Sequence, residues 1–228
     1  MSVLAIAHRA GNSLDALHAA LDVGPDIIEA DVHAHRGRLE VRHQKSMGPL
    51  PWIWDRHGNG SLPSLRDSWE LKRATGLLQL DELLDAAADG ATLMLDLKGV
   101  GDVGPSVVRA LHARSPSAPV IVCGRWWPSV DAFSGRDWAK PVLSARTRRE
   151  LARLLRRLRQ RPAPYGVSVH ISLLDRKLVD ELRSLVEVVM TWPINDDDAL
   201  ERVLDVGVNG VISDELDVLR TVLSSRES

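Results

Sequence analysis

Short apolar runs that end in a polar or charged residue recur along the chain, and most are followed by apolar residues at helical spacing. The first run, 3–7, ends at His8, and Leu14, Leu17 and Leu21 then repeat at the spacing of one helix face. Runs of this kind are typical of strands that are buried on both faces. The eight predicted strands are residues 3–7, 27–32, 92–97, 120–123, 141–144, 166–169, 186–190 and 210–212.

The alternation of strands with helices predicts a parallel sheet, because parallel neighbours need a crossover that usually contains a helix. Eight such units without a sign of a second domain predict a closed (β/α)₈ TIM barrel that spans 1–228 as a single domain. An open doubly wound sheet is the alternative, and the count of eight strands disfavours it. The fourth helical pattern, near 129–134, is the weakest of the set.

Residues 44–78 interrupt this pattern after the second strand. They combine several glycines and prolines with Trp52, Trp54 and Trp69, and they show no clear helix or strand period. A segment of this length without periodicity is usually a functional loop or a small insertion. We predict an irregular insertion in which Trp52 and Trp54 either hold a lipid or alcohol group as part of a lid or anchor the segment to the core.

Composition narrows the class of protein. The chain has 228 residues and a formal net charge of −2, so no global field favours nucleic acid. The arginine-rich stretch 147–161 carries a stripe of leucines, which predicts the outer helix of a barrel rather than a nucleic-acid surface. One cysteine, Cys123, no leader pattern and no apolar run of about 20 residues predict a cytoplasmic protein without stable membrane insertion. Monomer and homodimer both stay open.

Carboxylates cluster where two neighbouring barrel strands end. Glu29 and Asp31 lie two apart on one strand, so their side chains point to the same side, and Asp96 lies near the end of the next. Buried carboxylates repel each other unless a cation neutralises them. An all-oxygen set without cysteine suits one divalent cation, Mg²⁺ or Ca²⁺, rather than zinc. The alternative is ordinary ion pairing, of Asp96 with Lys98 and of Glu29 with Arg9.

Two cationic side chains and two histidines flank the predicted cation. Arg9 and Lys98 add positive charge, which together with a dication suits the negative charge that a phosphodiester gathers in its transition state. His8 and His43 would stand on opposite sides of the phosphate, one to remove a proton from the attacking hydroxyl and one to protonate the leaving alkoxide. We predict a small-molecule phosphodiesterase site at the carboxyl ends of the strands, where active sites of (β/α)₈ barrels lie.

The sequence around these residues resembles the glycerophosphodiester phosphodiesterases, in the same order and over nearly the whole chain. The family patterns are His-Arg-Gly, Glu-Asn-Thr-Leu, Ile-Glu-x-Asp-Val and Val-x-His-Asp, with later motifs around a Trp-Thr-Val-Asn and a Gly-Val-Asp-Gly-Ile segment. Little of the similarity falls in 44–78 or in about 124–165. The matching segments of this chain are 7–10, 12–14, 28–32, 41–43, 80–84, 95–98, 191–195 and 207–214.

The resemblance implies a TIM barrel that splits glycerophosphodiesters into glycerol 3-phosphate and an alcohol, with one divalent cation and two catalytic histidines. It also implies attack by the substrate's own glycerol hydroxyl, which gives a cyclic phosphate first. The residue roles that it implies are His8 and His43 as acid and base, Glu29, Asp31 and Asp96 as metal ligands, Arg9 and Lys98 as phosphate ligands, and Trp192 as part of the pocket lining.

The chain departs from the family pattern at four points. Asp96 stands where the family usually has Glu, a variant shared with the related sphingomyelinase D and lysophospholipase D branch. Gly11 replaces the Glu that normally precedes Asn12, and Gln44 replaces the Asp after the second histidine. The usual Arg-Thr-Thr segment beyond His43 is missing. These departures bear on the identity of the substrate more than on the catalytic groups.

Three other interpretations are open. One is a lysophospholipase D-like or sphingomyelinase D-like activity on lipid phosphodiesters, and another is a non-catalytic barrel that binds phosphate esters. A third is zinc bound at His33 and His35, as in amidohydrolase-type barrels. The histidine pair follows a strand and runs into a glycine turn, which instead predicts an exposed hairpin.

Overall fold

The structure, a computed structural model, describes residues 2–48, 50, 52–57, 68–87, 91–115, 118–160 and 162–226. Its strands, in chain order, are β1 (Leu4–Ala7), β2 (Ile27–His35), β3 (Arg38–Val41), β4 (Lys45–Ser46), β5 (Trp52–His57), β6 (Ser68–Arg73), β7 (Leu93–Lys98), β8 (Val120–Gly124), β9 (Ala139–Ala145), β10 (Gly166–His170), β11 (Val188–Trp192) and β12 (Gly210–Ser213). Its α-helices are α1 (Leu14–Val23), α2 (Leu80–Ala86), α3 (Val103–Arg114), α4 (Trp127–Asp131), α5 (Arg148–Gln160), α6 (Arg176–Arg183), α7 (Asp197–Asp205) and α8 (Leu216–Ser224).

Eight parallel strands close into a barrel. Their order around the barrel is β1, β2, β7, β8, β9, β10, β11 and β12, and β1 pairs with both β12 and β2 to close the sheet. A helix follows every barrel strand and leads to the next one, with α8 after the last. The predicted (β/α)₈ TIM barrel is therefore confirmed, with all eight predicted strands in place.

Local sequence accounts for the ends of several helices. The Ser13 hydroxyl accepts a hydrogen bond from the backbone amide of Ala16 at 3.2 Å, which caps the start of α1. Gly24 ends α1 with a φ of 72°, a left-handed conformation that glycine adopts without a steric penalty. The weak fourth helical pattern becomes α4, which is only five residues long and begins with Pro128 in its first turn.

The barrel interior below the site is apolar. Alternate residues of each parallel strand point inward and meet in layers, as expected for this fold. Their burial holds the strands together and positions the residues that follow at the strand ends. The buried members of this interior cluster are Ile6, Ile27, Met94, Ile121, Cys123, Val142, Val188, Met190 and Ile212.

The segment after the second strand is more regular than predicted. β2 continues to His35, turns at Gly37 and returns as β3, and β4, β5 and β6 then form a separate three-stranded antiparallel sheet. The prediction of an irregular insertion is wrong for these residues, whereas 49, 51 and 58–67 of the predicted insertion lie outside the described residues. Strand periodicity was hidden because tryptophans lie on one face of this sheet and Ile53 lies on the other, so hydrophobicity does not alternate.

Helix α5 lies on the outside of the barrel, as its leucine stripe predicts. Leu154 and Leu158 are buried, while Arg153 and Arg157 lie over the ring of Trp127 at 5.0 and 5.5 Å from its centroid. These two arginines therefore contact α4, the neighbouring helix of the barrel wall. Among the described residues, no helix is both long enough and apolar enough to cross a lipid bilayer.

Candidate active site

Three carboxylates meet on the neighbouring strands β2 and β7. Glu29 and Asp31 are 2% and 0% exposed, and Asp96 lies directly opposite Asp31 in the parallel register of the two strands. One carboxylate oxygen from each residue lies within 4.8 Å of the other two. Asp96, although one methylene shorter than glutamate, therefore reaches the same small volume as the other two carboxylates.

The turn after β1 holds this cluster in place. Arg9 adopts a left-handed conformation with a φ of 56°, and its backbone amide donates a hydrogen bond to Glu29 Oε2 at 2.6 Å. Asn12 bonds Asp31 twice: its Nδ2 donates to Asp31 Oδ2 at 2.8 Å, and its Oδ1 accepts from the Asp31 amide at 2.8 Å. A Cβ at Gly11 would stand 2.7 Å from the Ala30 Cβ, so only glycine permits this close approach to β2. The turn thus orients two of the three carboxylates.

The two carboxylates of β2 have opposite protonation behaviour. Burial raises the pKa of Glu29 to about 7, and the negative charge of Asp31 adds to this effect. Burial also acts to raise the pKa of Asp31, but the positive charge of Lys98 and hydrogen bonds with His43 and Lys98 outweigh it and hold that pKa well below its usual range. Glu29 therefore lies buried beside the ionised carboxylate of Asp31.

Lys98 lies among the carboxylates. Its Nζ is 2.6 Å from Asp31 Oδ1 and forms a short ion pair with Asp96. Burial acts to lower the pKa of Lys98, but the charges of Asp96, Asp31 and Glu29 raise it well above its usual value. The ion pair between Asp96 and Lys98 that the sequence left as an alternative is thus present. Glu29, in contrast, bonds the backbone amide of Arg9.

The cluster fits a hard divalent cation. Its donors are all oxygen atoms, they are buried, and their mutual distances are those of a set that could bind one ion. Burial, together with the charge of Asp31, raises the pKa of Glu29, and a bound cation would favour its ionised form. Among the described residues, this is the one group of three or more acidic, histidine or cysteine side chains that could hold a metal ion.

His8 follows β1 and lies beside the carboxylates. Its Nδ1 is 2.8 Å from Asp214 Oδ1, and its Nε2 is 4.0 Å from Glu29 Oε2. Burial acts to lower the pKa of His8, but the hydrogen bond with Asp214 and the charges of Glu29 and Asp214 outweigh it, so that the pKa is raised. Asn195 Nδ2 donates to Asp214 at 3.2 Å, and the pKa of Asp214 is lowered to about 2 because these hydrogen bonds outweigh its burial.

His43 approaches the cluster from the other side of β2. Its Nδ1 is 3.2 Å from Asp31 Oδ2, and its Nε2 is 3.7 Å from Asp55 Oδ2. Asp55 lies on β5 of the separate antiparallel sheet. His43 is therefore held between a carboxylate of the barrel and a carboxylate of the insertion, and both histidines lie beside the acidic cluster.

The predicted phosphate and pocket residues occupy two sides of the barrel mouth. The Nε atom of Arg9 is buried and has no hydrogen-bond partner among the described residues, so it is available to an anionic ligand. Trp192 ends β11, which lies across the barrel from β7. Its ring packs edge-on against that of His170 at 5.0 Å, and the guanidinium of Arg146 lies 5.9 Å from its centroid. Trp192 thus belongs to a second cluster at the same end.

Solved structures of other proteins share this architecture. Over 97% of this chain and 99% of that chain, the glycerophosphodiester phosphodiesterase of Thermotoga maritima superposes with a TM-score of 0.72 at 18% identity. One from Parabacteroides distasonis has a TM-score of 0.71 at 19% identity, over the full length of both chains. An Oleispira antarctica phosphodiesterase, solved in complex with the product sn-glycerol-3-phosphate, has a TM-score of 0.69 at 17% identity, over 98% and 96% of the two chains.

The chain has the fold of the glycerophosphodiester phosphodiesterases. At these identities the shared property is the fold. The sequence matches no protein-family model and no curated protein.

Two departures from the phosphodiesterase pattern have a structural counterpart. Gly11 replaces a Glu of the pattern at a position where this chain has no room for a side chain. Gln44 replaces an Asp of the pattern, and the carboxylate near His43 in this chain is that of Asp55. Both differences are compatible with the geometry around the acidic cluster.

Sequence reasoning missed several residues of the candidate site. Asn12 and Asp214 both fall in segments that resemble the family, and this resemblance is the signal that could have found them. Asp55 carried none, because its place depends on how the antiparallel sheet folds back on the barrel. Arg146 follows a strand end, which is the signal that could have found it.

The histidine pair of the β2–β3 hairpin differs from its prediction in one respect. His33 and His35 lie on the predicted hairpin, but the His33 Nε2 is buried without a hydrogen-bond partner among the described residues, so the predicted exposure is wrong there. Burial lowers the pKa of His33 to about 3, and the nearby charge of Arg42 contributes. Neither histidine falls in the group that could hold a metal ion.

Proposed function

We propose that this protein is a glycerophosphodiester phosphodiesterase that releases glycerol 3-phosphate and an alcohol and depends on one divalent cation. The observation that carries the proposal is the buried cluster of Glu29, Asp31 and Asp96 with a histidine on each side. The fold shared with phosphodiesterases supports it, as does the presence of sn-glycerol-3-phosphate in the Oleispira antarctica structure.

Glu29, Asp31 and Asp96 would hold the cation, Mg²⁺ or Ca²⁺, because both prefer oxygen ligands. When bound, such a cation supplies positive charge that stabilises the oxyanion of a phosphodiester under attack. Lys98 would move its ammonium from the carboxylates toward a non-bridging phosphate oxygen, and Arg9 would donate from its buried Nε. Trp192 would contact the rest of the substrate across the barrel mouth.

The histidines would divide the proton transfers. His8 has a raised pKa and is held by Asp214, so we assign it as the acid that protonates the leaving alkoxide oxygen. His43 would accept the proton of the attacking glycerol hydroxyl, whose oxygen forms the new bond to phosphorus as the bond to the alcohol breaks. Water would then open the cyclic phosphate with the two roles exchanged, which restores both histidines.

A lysophospholipase D-like activity on lipid phosphodiesters is the second candidate. The Asp at position 96 is the variant that resembles that branch, and exposed tryptophans lie on the sheet that carries Asp55. The same carboxylates and histidines would perform the reaction, so the two candidates differ in the alcohol or lipid that the pocket accepts.

The deciding experiment is a product-resolved assay with Mg²⁺ and Ca²⁺ in turn. The substrates are glycerophosphocholine, glycerophosphoethanolamine, glycerophosphoglycerol and lysophospholipids. Release of glycerol 3-phosphate supports the first candidate, and release of lysophosphatidic acid supports the second. If no substrate turns over with either metal while phosphate esters bind, the barrel is a binding protein and the proposal fails.

We further propose that the chain acts as a single-domain cytoplasmic enzyme. Its one cysteine, Cys123, is buried in the barrel interior, where burial raises the pKa of the thiol well above its usual value. A protein that needs no disulfide suits a reducing compartment. Cell fractionation with an antibody to the native protein tests this assignment.

A further inference from the structure

One face of the β4–β5–β6 sheet carries aromatic and basic side chains. Residues directly opposite each other in antiparallel strands point to the same side, and the register places Trp54 opposite both Lys45 and Leu71. Trp69 packs against Trp54, with 5.5 Å between the ring centroids. The residues of this face, which we call the tryptophan face, are Lys45, Trp52, Trp54, Trp69, Leu71 and Arg73.

The tryptophan face exposes large apolar side chains. Trp69 and Leu71 are 56% and 59% exposed, and Trp52 is 41% exposed. Met47 and Leu50, between β4 and β5, are exposed as well. Single exposed apolar residues are ordinary, whereas several on one small sheet indicate a surface that meets an apolar partner.

The opposite face of the sheet secures it to the barrel. Ile53 is fully buried, and the Ser46 hydroxyl accepts a hydrogen bond from Arg42 Nη2 at 2.6 Å. Asp55, on the same face as Ile53, lies 3.7 Å from His43. The sheet therefore packs on the barrel through the face that carries Ile53 and Asp55. The tryptophan face lies on the opposite side of the sheet and points away from the candidate active site.

Cationic side chains accompany the rings on the tryptophan face. Lys45 and Arg73 lie on the tryptophan face, and the Lys45 ammonium is 5.1 Å from the Trp54 ring centroid. On the other face Asp55 lies opposite Glu70, and the Lys72 ammonium forms an ion pair with Glu70 at 3.1 Å. Tryptophan together with lysine and arginine is the composition that favours the interface of a bilayer with anionic lipids, because the rings sit at the headgroup level and the cations meet lipid phosphates.

We propose that the tryptophan face docks on the surface of an anionic lipid bilayer. The net charge of −2 gives the chain as a whole no attraction to such a surface, so binding would rest on this face. A second copy of the chain suits the face less well. A two-fold contact would bring Lys45 and Arg73 of one copy close to the same two cations of the other.

The test is cosedimentation with vesicles in EDTA and without substrate. Vesicles of phosphatidylcholine alone are compared with vesicles that contain about 30% phosphatidylserine. We expect binding to the anionic vesicles that weakens with added salt. The double variant Trp69→Ala/Leu71→Ser should bind at least about tenfold more weakly, since it removes two side chains that would enter the interface. Leu204→Ser, at an exposed leucine of α7, is the matched control and should bind as the wild type does.

A single charge reversal tests the same surface without altering its apolar residues. Lys45→Glu should weaken binding to anionic vesicles roughly tenfold, because it removes one attraction and adds one repulsion. Lys177→Glu, at an exposed position on α6, changes net charge equally and should have little effect. Circular dichroism and the Tm of each variant establish that it is folded.

The inference is overturned if the wild type binds neither kind of vesicle, or if the tryptophan-face variants bind as well as their controls. It is also overturned if the wild type is a dimer that the double variant converts to a monomer, since the face would then be the contact between two copies. The vesicle experiment needs no turnover. Its failure is therefore distinguishable from failure of the proposed phosphodiesterase activity, which is measured on soluble glycerophosphocholine.

Discussion

Two levels of the same barrel follow opposite physical rules. At the lower level, β2 and β7 bury Ile27 and Met94, which need only apolar neighbours. One layer higher, the same strands bury Glu29, Asp31 and Asp96, which destabilise each other. The spacing between the levels is two or four residues along a strand. The lower layers stabilise the barrel, whereas the buried carboxylates of the upper layer lower its stability, which is typical of a functional site.

The largest effect tests the upper level. His8→Ala and His43→Ala should each lower kcat on glycerophosphocholine by roughly 10²–10⁴-fold, because each removes a proton-transfer group, while the Tm changes little. His18→Ala, at an exposed histidine of α1, is the control and should keep full activity. Steady-state kinetics and thermal melts measure both quantities. A histidine variant that retains activity would remove that histidine from the reaction.

A truncation in the lower level should lower the stability of the protein. Met190→Ala truncates a fully buried side chain in the barrel interior and should lower the free energy of unfolding by about 2–5 kcal/mol. Leu204→Ala, partly exposed on α7, should cost much less. Urea unfolding followed by circular dichroism gives both values. Equal losses for the two variants would mean that the interior layer is not the stabilising one.

A substitution in the acidic cluster should stabilise the protein. In EDTA, Glu29→Gln removes a buried carboxylate beside Asp31 and keeps an oxygen for the Arg9 amide, so the Tm should rise by roughly 2–6 °C. Glu201→Gln, exposed on α7, is the control. Mg²⁺ or Ca²⁺ should raise the Tm of the wild type and not that of Glu29→Gln.

The sign of the pH dependence of stability follows from the raised pKa of Glu29. The pKa of Glu29 in the folded protein, about 7, is above the ordinary value of 4.5, so the folded state binds its proton more tightly than the unfolded state. In the metal-free protein this contribution favours folding at low pH and is lost as the pH rises from about 4.5 to 7. Thermal melts across this range should show a smaller decline for Glu29→Gln. An identical decline of the Tm in both proteins would contradict the electrostatic repulsion between Glu29 and Asp31.

The smallest effect concerns an ion pair at the lower end of the barrel. Asp26 accepts from the Ala5 amide at 2.6 Å and pairs with Arg226, whose two terminal nitrogens lie 3.0 and 2.5 Å from its oxygens. Burial acts to raise the pKa of Asp26, but these bonds outweigh it and lower the pKa. Its stabilisation is therefore present above about pH 4 and lost as the pH falls through the lowered pKa.

Asp26→Asn should cost about 1 kcal/mol at pH 7 and progressively less below pH 4. The measurement is the difference in free energy of unfolding between the wild type and the variant as a function of pH. Asp217→Asn, whose ion pair with Arg220 is within one exposed helix turn, is the control and should show almost no difference. A difference that grows as the pH falls would have the wrong sign.

Much of the fold was predictable because it rests on local patterns. The apolar runs and the helix signals at Ser13 and Gly24 depend on residues close in sequence, and they predicted all eight barrel strands. The antiparallel sheet escaped prediction because both of its faces carry apolar residues, so hydrophobicity does not alternate along its strands. Trp54 lies on the outer face, whereas Ile53 packs inward.

The candidate site likewise contains some residues that local patterns predict and others that they do not. Local sequence is enough to predict that Glu29 and Asp31 point to one side of a strand, because side chains alternate with a period of two, and that His8 follows a strand end. The contacts of Asp55 with His43 and of Asp214 with His8 depend on how the whole chain folds. His8 and Asp214 come from opposite ends of the chain, and His43 and Asp55 come from different sheets. The distances within these pairs depend on the closure of the barrel and on the position of the antiparallel sheet against it. No local sequence pattern encodes either of these.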